Sequence, residues 1–247
     1  MKINTLQTYK LGNLSVVSKN VSGDHYRGYF DILSDDKPIT FALDSRFLKT
    51  ERGIYSDFVR PSKALECSLH ALSKLFDKYG NPIKAGKSSY LDIVLDVHNE
   101  DDNKLYVALL DFEEELIEKL VPCLKESSGS LKDYITRHCR TDSKIRGEIV
   151  TGFLRENYNK TNIKYVHLKV TKITKSFTRK RTVVDSDMLC YKTYKTMPVL
   201  RIDNVRIPTS RSENVRLNVH LCIDEQIVEA CDSGTAYFDQ LTKLLEE

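Results

Sequence analysis

The stretch Lys160–Val184, KTNIKYVHLKVTKITKSFTRKRTVV, holds eight lysines and arginines and no aspartate or glutamate. Its first half alternates: Val166, Leu168 and Val170 fall on one side of an extended chain, and Tyr165, His167 and Lys169 on the other. That period of two is the mark of a half-buried strand, so the stretch is expected to show solvent a cationic face with an aromatic on it. Ser176–Arg181 follows as a loop, a charged finger able to clamp an anionic backbone. A polyanion with stackable rings suits such a surface, because cations meet phosphates and aromatic side chains meet unstacked bases. An edge strand guarded from aggregation by lysines is the plainer alternative.

Working outward, the charge is segregated. Residues 1–159 carry 23 Lys and Arg against 24 Asp and Glu, residues 160–216 carry 14 against 4, and residues 217–247 carry 1 against 7. Nearly all the excess positive charge therefore lies in one segment, a pattern that speaks to partners more than to fold. The overall +3, with 40% hydrophobic and 30% charged residues over 247 positions, is that of an ordinary globular chain with a sizeable core. The first residues have no apolar run of signal-peptide length, and no later segment has the length of a membrane span; an intracellular protein is expected. Six cysteines and six histidines are scattered without CxxC, HxH or HExxH spacing, so free thiols are expected, and neither metal nor cofactor.

Strands are expected from Leu14 to Tyr55, with a hairpin of Tyr29–Leu33 and Ile39–Leu43 about Ser34–Pro38. Pro61–Gly80 reads as a helix on the spacing of Leu65, Leu69, Leu72, Phe76 and Tyr79. Tyr90–Val97 and Leu105–Leu110 read as a strand pair about a polar turn at 99–104. A helix is expected to begin at Asp111, boxed with Glu114, and to kink or end at Pro122. Ser130 with Asp133 caps another, and 143–158 could be helical despite Gly147 and Gly152. Beyond the basic strand, Met188–Lys195, Val199–Ile207 with a bulge between Ile202 and Val205, and Val215–Ile223 read as strands, before a short helix near 235–245. The fold class is α+β: one domain with an antiparallel sheet or OB-like barrel, a helical insertion at about 111–158 and a basic β region at about 160–223.

On such a barrel the candidate phosphate contacts are Lys164, Lys169, Lys172, Lys175, Arg179, Lys180, Arg181, Lys192, Lys195, Arg201 and Arg206. The candidate stacking platforms are Tyr165, Phe177, Tyr191 and Tyr194. An enzyme reading would rest on Asp92, Asp96 and Asp111, since carboxylates on a strand and at a strand end can hold a divalent metal for phosphodiester cleavage. A matrix protein pressing the patch to a membrane or nucleoprotein is a third class. No GxxxxGK[ST], GxSxG or GxGxxG occurs, which disfavours nucleotide hydrolysis and the common hydrolases.

Two stretches, YRGYFDILSDDKPITFALD (26–44) and VLRIDNVRIPTSRSENVRLNVHLCI (199–223), flank a helical middle. In that order of parts the chain loosely resembles the single-stranded-DNA-binding proteins of large DNA viruses, the poxvirus and asfarvirus type. The resemblance implies a sequence-tolerant, non-enzymatic binder that coats exposed strands in replication or recombination. Its partners would be single-stranded DNA or RNA, with self-association left open.

Overall fold

The computed structural model describes residues 3–18, 29–56, 89–190, 192–203, 205–206 and 216–230. The expected helices at 61–80 and 235–245 lie outside those residues, as do Tyr191 and the side chain of Arg206. In chain order the strands are β1 (Leu14–Ser18), β2 (Tyr29–Ser34), β3 (Lys37–Pro38), β4 (Thr40–Ala42), β5 (Leu48–Lys49), β6 (Tyr55–Ser56) and β7 (Ser89–Asp96). Three helices follow: α1 (Glu100–Glu126), α2 (Gly129–His138) and α3 (Asp142–Glu148). Then come β8 (Ile149–Val150), β9 (Leu154–Glu156), β10 (Ile163–Phe177), β11 (Val183–Val184), β12 (Tyr194–Ile202), β13 (Val205–Arg206), β14 (Leu217–Asn218) and β15 (Leu221–Ala230).

This is the expected α+β class, with helices inserted between strands of mixed sheets that curl into a half-barrel. One sheet runs β4-β12-β15-β10-β7-β6, with β5, β9 and β11 attached; the other runs β1-β2-β13-β14-β8, with β3 attached. Among the described residues the chain passes between them at Ile39, at Thr151–Phe153, at Asp203 and at Val219–His220. Two backbone bonds, Asp203 N–H to the His220 carbonyl (2.8 Å) and Ile202 N–H to the Ile39 carbonyl (3.1 Å), hold three of these corners together. The change of parity between Ile202 and Val205 is thus a change of sheet and not the expected bulge. Likewise the hairpin closes at β2–β3, Leu33 opposite Pro38, while β4 crosses over to β12.

The largest departure from the sequence reading lies at 99–126. Residues 105–110 are not a strand, and the helix does not start at Asp111. α1 begins at Glu100, where the Asn99 side chain accepts bonds from the N–H groups of Asp101 and Asp102. Glu100, Asp101 and Asp102 place negative charge at the positive end of the helix dipole. Leu105, Leu109, Phe112, Leu116, Leu120 and Leu124, spaced four and three apart, are all buried. That single stripe includes the residues read as a strand, since a six-residue apolar run cannot by itself distinguish the two periods. Pro122 sits inside the helix, one turn from its end; burial of Val121 and Leu124 carries the chain past it. Ser128, not Ser130, holds the N-cap position of α2. Within 143–158 only the first part is helical, and β8 and β9 follow.

α1 packs on β1 and β7, with α2 and α3 against it. The core is one cluster: Leu91, Ile93 and Leu95 of β7, Val166, Leu168 and Val170 of β10, Leu200 of β12, Leu221 and Ile223 of β15, and Phe30 and Ile32 of β2 meet the buried stripe of α1. Burying such side chains stabilises the fold by roughly 1.5–3 kcal/mol each. Fixing the inner face of the large sheet in this way leaves its other face to display everything else.

Candidate nucleic-acid interface

β10 is the strand the sequence anticipated, but it runs seven residues beyond the expected alternation at 165–170, to Phe177, two residues into the expected loop. Its neighbours are β7, antiparallel from Ile163 opposite Asp96 to Val170 opposite Ser89, and β15, parallel. Register with β15 slips between Val170 and Lys175, where Thr174 Oγ1 donates to the Ile223 carbonyl at 2.6 Å. β15 has its own irregularity against β12 between Val199 and Leu200, which reverses the parity of the residues after Asp224. Cross-strand partners share a face. The outer face is therefore ordered in rows: Lys169, Cys222, Arg201, Thr40; then Lys175, Glu225, Val199, Ala42; then Phe177, Ile227, Met197; and last Glu229, Lys195, Lys49.

The half of this face nearest the start of β10 is a closed polar network and does not present the expected cationic strip. Asp92 accepts from His167 Nδ1 (2.8 Å) and from the Tyr55 hydroxyl (2.6 Å). The His167 ring stacks on Tyr90 at 4.6 Å, and the Arg52 guanidinium lies 3.9 Å from the Tyr55 ring. Asp92 and His167 are both buried. Burial alone would raise the Asp92 carboxyl, but the bonds from His167 and Tyr55 outweigh it and hold the group below the usual carboxylate range. Lys169 donates to Asp203 at 2.8 Å; against its own partial burial, that carboxylate keeps its ammonium above the ordinary value. Burial, with Lys169 nearby, lowers His220 to about 4, and burial pushes the Cys222 thiol up to about 12. The Tyr165 hydroxyl is held by Asn157 and Glu51. Lys164 has the opposite parity: it stands opposite Leu95 on the face that α1 covers, 5.9 Å from the Tyr106 ring, and pairs with Glu156 (2.8 Å). Arg201 lies 3.7 Å from Asp224.

The carboxylates of the enzyme reading are not brought together. Asp92 is engaged as above, Asp96 accepts from Asn162 and from the N–H of His98, and Asp111 sits in the middle of α1. Among the described residues no group of three His, Cys, Asp or Glu side chains could hold a metal ion. No described helix is long and apolar enough to cross a membrane.

At the far end of β10 the arrangement is different. β10 and β11 form a hairpin, Ser176 opposite Val184 and Phe177 opposite Val183. Its loop is fixed by Thr178 N–H to the Thr182 carbonyl (2.8 Å), Arg181 N–H to the Thr178 carbonyl (2.9 Å) and Thr182 N–H to Thr178 Oγ1 (3.1 Å). Arg181 takes a left-handed backbone, φ 66°, which turns the chain tightly enough to close that loop. Arg179 and Arg181 both lean back over the sheet. The Arg179 guanidinium lies 4.5 Å from the Phe47 ring and 2.9 Å from Glu229; that of Arg181 lies 5.8 Å from the Phe177 ring and 3.7 Å from Glu225. Lys172 and Lys175 are exposed, without an ion-pair partner among the described residues, and Lys195 and Lys49 stand opposite one another at the edge. Lys180 is exposed at the loop tip, and Lys192 precedes β12.

Of the residues the sequence singled out, this end gathers Lys175, Phe177, Arg179, Arg181 and Lys195, with Lys172 beside them in the irregular part of β10. Tyr194 is not a platform: it is wholly buried, its hydroxyl directed at Gln226 Oε1 (3.4 Å) in a polar core with Thr196 and Ser176. Met188–Leu189 is part of a 3-10 turn, so the expected strand starts only at Tyr194. Val215–Ile223 divides into β14 and the start of β15, which runs on to Ala230, and Cys222 is buried although alternation pointed it outward. Sequence reasoning passed over Phe47, Lys49, Met197 and Ile227, and over the acidic strand face of Glu225 and Glu229. The surplus of acid in 217–247 was its one visible trace.

No protein-family model and no curated protein sequence matches the chain. Among solved structures, it is similar to gp2.5, a single-stranded DNA binding protein encoded by bacteriophage T7, at 10% identity, over 80% of this chain and 94% of that one, with a TM-score of 0.40. The single-stranded DNA-binding protein of bacteriophage Enc34, in complex with ssDNA, aligns at 8% identity over 90% of this chain and 98% of that one, with a TM-score of 0.36. Its C-terminal truncation aligns at 8% over 89% and 98%, also with 0.36. Superpositions this loose establish neither a shared family nor a shared site.

Proposed function

We propose that this chain binds single-stranded nucleic acid, largely without regard to sequence, on the hairpin end of its large sheet. One observation carries the reading: two arginines leaning over phenylalanine rings, Arg179 on Phe47 and Arg181 on Phe177, flanked by the exposed Lys175. Cations for phosphates and rings for bases are thereby offered at one place, and only unpaired bases have faces available for such rings. The half-buried Phe177–Ile227–Met197 row extends the apolar strip across three strands. The contacts are Lys172, Lys175, Phe177, Arg179, Lys180, Arg181 and Lys195, with Lys49 and Phe47 added. Tyr194 is left out because it is buried, Tyr165 because its hydroxyl is held on both sides, and Lys164, Lys169 and Arg201 because their paired side chains are only 15%, 30% and 23% exposed, against 64% and 63% for Arg179 and Arg181. A sequence-tolerant surface of this kind suits a protein that covers exposed strands inside cells without acting on them chemically.

Fluorescence anisotropy with a labelled oligothymidylate and a duplex of the same length, each at 50 and 200 mM salt, tests this. The single strand should bind more tightly, and engaging four phosphates should make its affinity fall roughly fiftyfold between the two salts. Preference for duplex, or an affinity that ignores salt, would count against the proposal.

A further inference from the structure

Resting on that reading, we infer that Glu225 and Glu229 are resident stand-ins for nucleic-acid phosphates, and that binding is an exchange in which phosphates replace these two carboxylates on Arg181 and Arg179. Both glutamates lie on β15, two turns of the pleat apart, on the outer face that carries Phe177 and Lys195. Each faces one arginine of the hairpin: Glu229 Oε2 is 2.9 Å from Arg179 Nη2, and Glu225 Oε1 is 3.7 Å from Arg181 Nη1. The arginine side chains are 64% and 63% exposed, so water and ligand reach both pairs, and exposed pairs are held weakly. Between the glutamates lies Ile227, in the row with Phe177 and Met197, so an apolar seat separates two anion positions.

That spacing has a consequence for the kind of ligand. A lone small anion gains little by displacing a carboxylate already in place. A chain of phosphates bearing bases displaces both at once and covers the apolar row between them, so the surface discriminates a polynucleotide from free phosphate. The carboxylates thereby weaken binding and flatten its salt dependence, because each glutamate set free takes up a counterion that offsets part of the release from the nucleic acid.

The test compares the full chain with the double variant Glu225→Gln, Glu229→Gln and with Glu156→Gln, which removes the partner of Lys164 outside the interface. Each is titrated with labelled oligothymidylate across a salt series, with inorganic phosphate as competitor. The double variant should bind about two- to tenfold more tightly with a steeper salt slope, and phosphate should compete against it better than against the parent. Glu156→Gln should match the parent. If the double variant unfolds, either single substitution read alone carries the same test. Unchanged affinity in the double variant, or an equal gain in Glu156→Gln, overturns the exchange while leaving the binding surface standing. Failure of the parent chain to bind any single strand overturns the surface itself.

Discussion

Arg179 and Arg181 differ from Lys164 and Lys169 less in charge than in what holds them. Lys169 meets the Asp203 carboxylate with both groups partly shielded from water, and its side chain is 30% exposed; the arginines lie on exposed pairs above aromatic rings. Alanine at Arg179 or Arg181 should each lower oligothymidylate affinity by roughly three- to tenfold and reduce the salt slope by about 0.7, as read by anisotropy. Alanine at Lys169 should leave affinity within about twofold and instead cost about 1 kcal/mol in urea unfolding, because Asp203 loses its cation. His220 supplies a second prediction at this scale. Its folded-state pKa of about 4 lies below the unfolded value, so between pH 6.5 and about 4 the unfolded chain holds a proton the folded one refuses. Stability should therefore fall as pH drops through that window, by up to about 3 kcal/mol from this group, and His220→Gln should flatten that part of a urea-unfolding series. The sequence could mark all these residues as cationic or titratable. It could not tell which were partnered, because the partners Asp203, Glu156 and Glu229 come from other segments 34, 8 and 50 residues away.

Among the elements, α1 is where local signals and the reading of them parted. Asn99 caps the helix through two backbone N–H groups, so Asn99→Ala should cost about 1 kcal/mol and lower the melting temperature by about 2–4 °C in a circular-dichroism melt. The cap and its acidic first turn were present in the letters NEDD, as was the 4-3 spacing from Leu105 onward. What concealed them was that LYVALL has enough β-branched and aromatic character to pass for a strand behind a polar turn. β10 was legible for the opposite reason: Val166, Leu168 and Val170 repeat at a period only an extended chain buries. Its extension to Phe177 was hidden by the slip after Val170, where an interruption in pattern reads as an end of strand although Thr174 binds across it. Parallel pairing with β15 was beyond reach, since nothing in either segment names a neighbour 50 residues away. With that pairing went the position of Glu225 and Glu229 in the middle of the cations.

Over the whole molecule, the described parts of the two charged segments meet on adjacent strands, the lysines of β10 beside Asp224, Glu225 and Glu229 of β15. β10 brings the positive segment and β15 the negative one, side by side. The α+β class, the central basic strand and the hairpin arginines could be read from composition and period. The division of that strand into a sealed half around Asp92 and His167 and an open half at the hairpin depends on tertiary pairing. The most direct measurement is anisotropy of labelled oligothymidylate with the triple variant Lys175→Ala, Arg179→Ala, Arg181→Ala beside the parent chain, at 50 mM salt, after confirming that both melt alike. The proposed surface requires the variant to lose affinity on the order of a hundredfold and most of its salt dependence. Equal binding by a folded triple variant would contradict it.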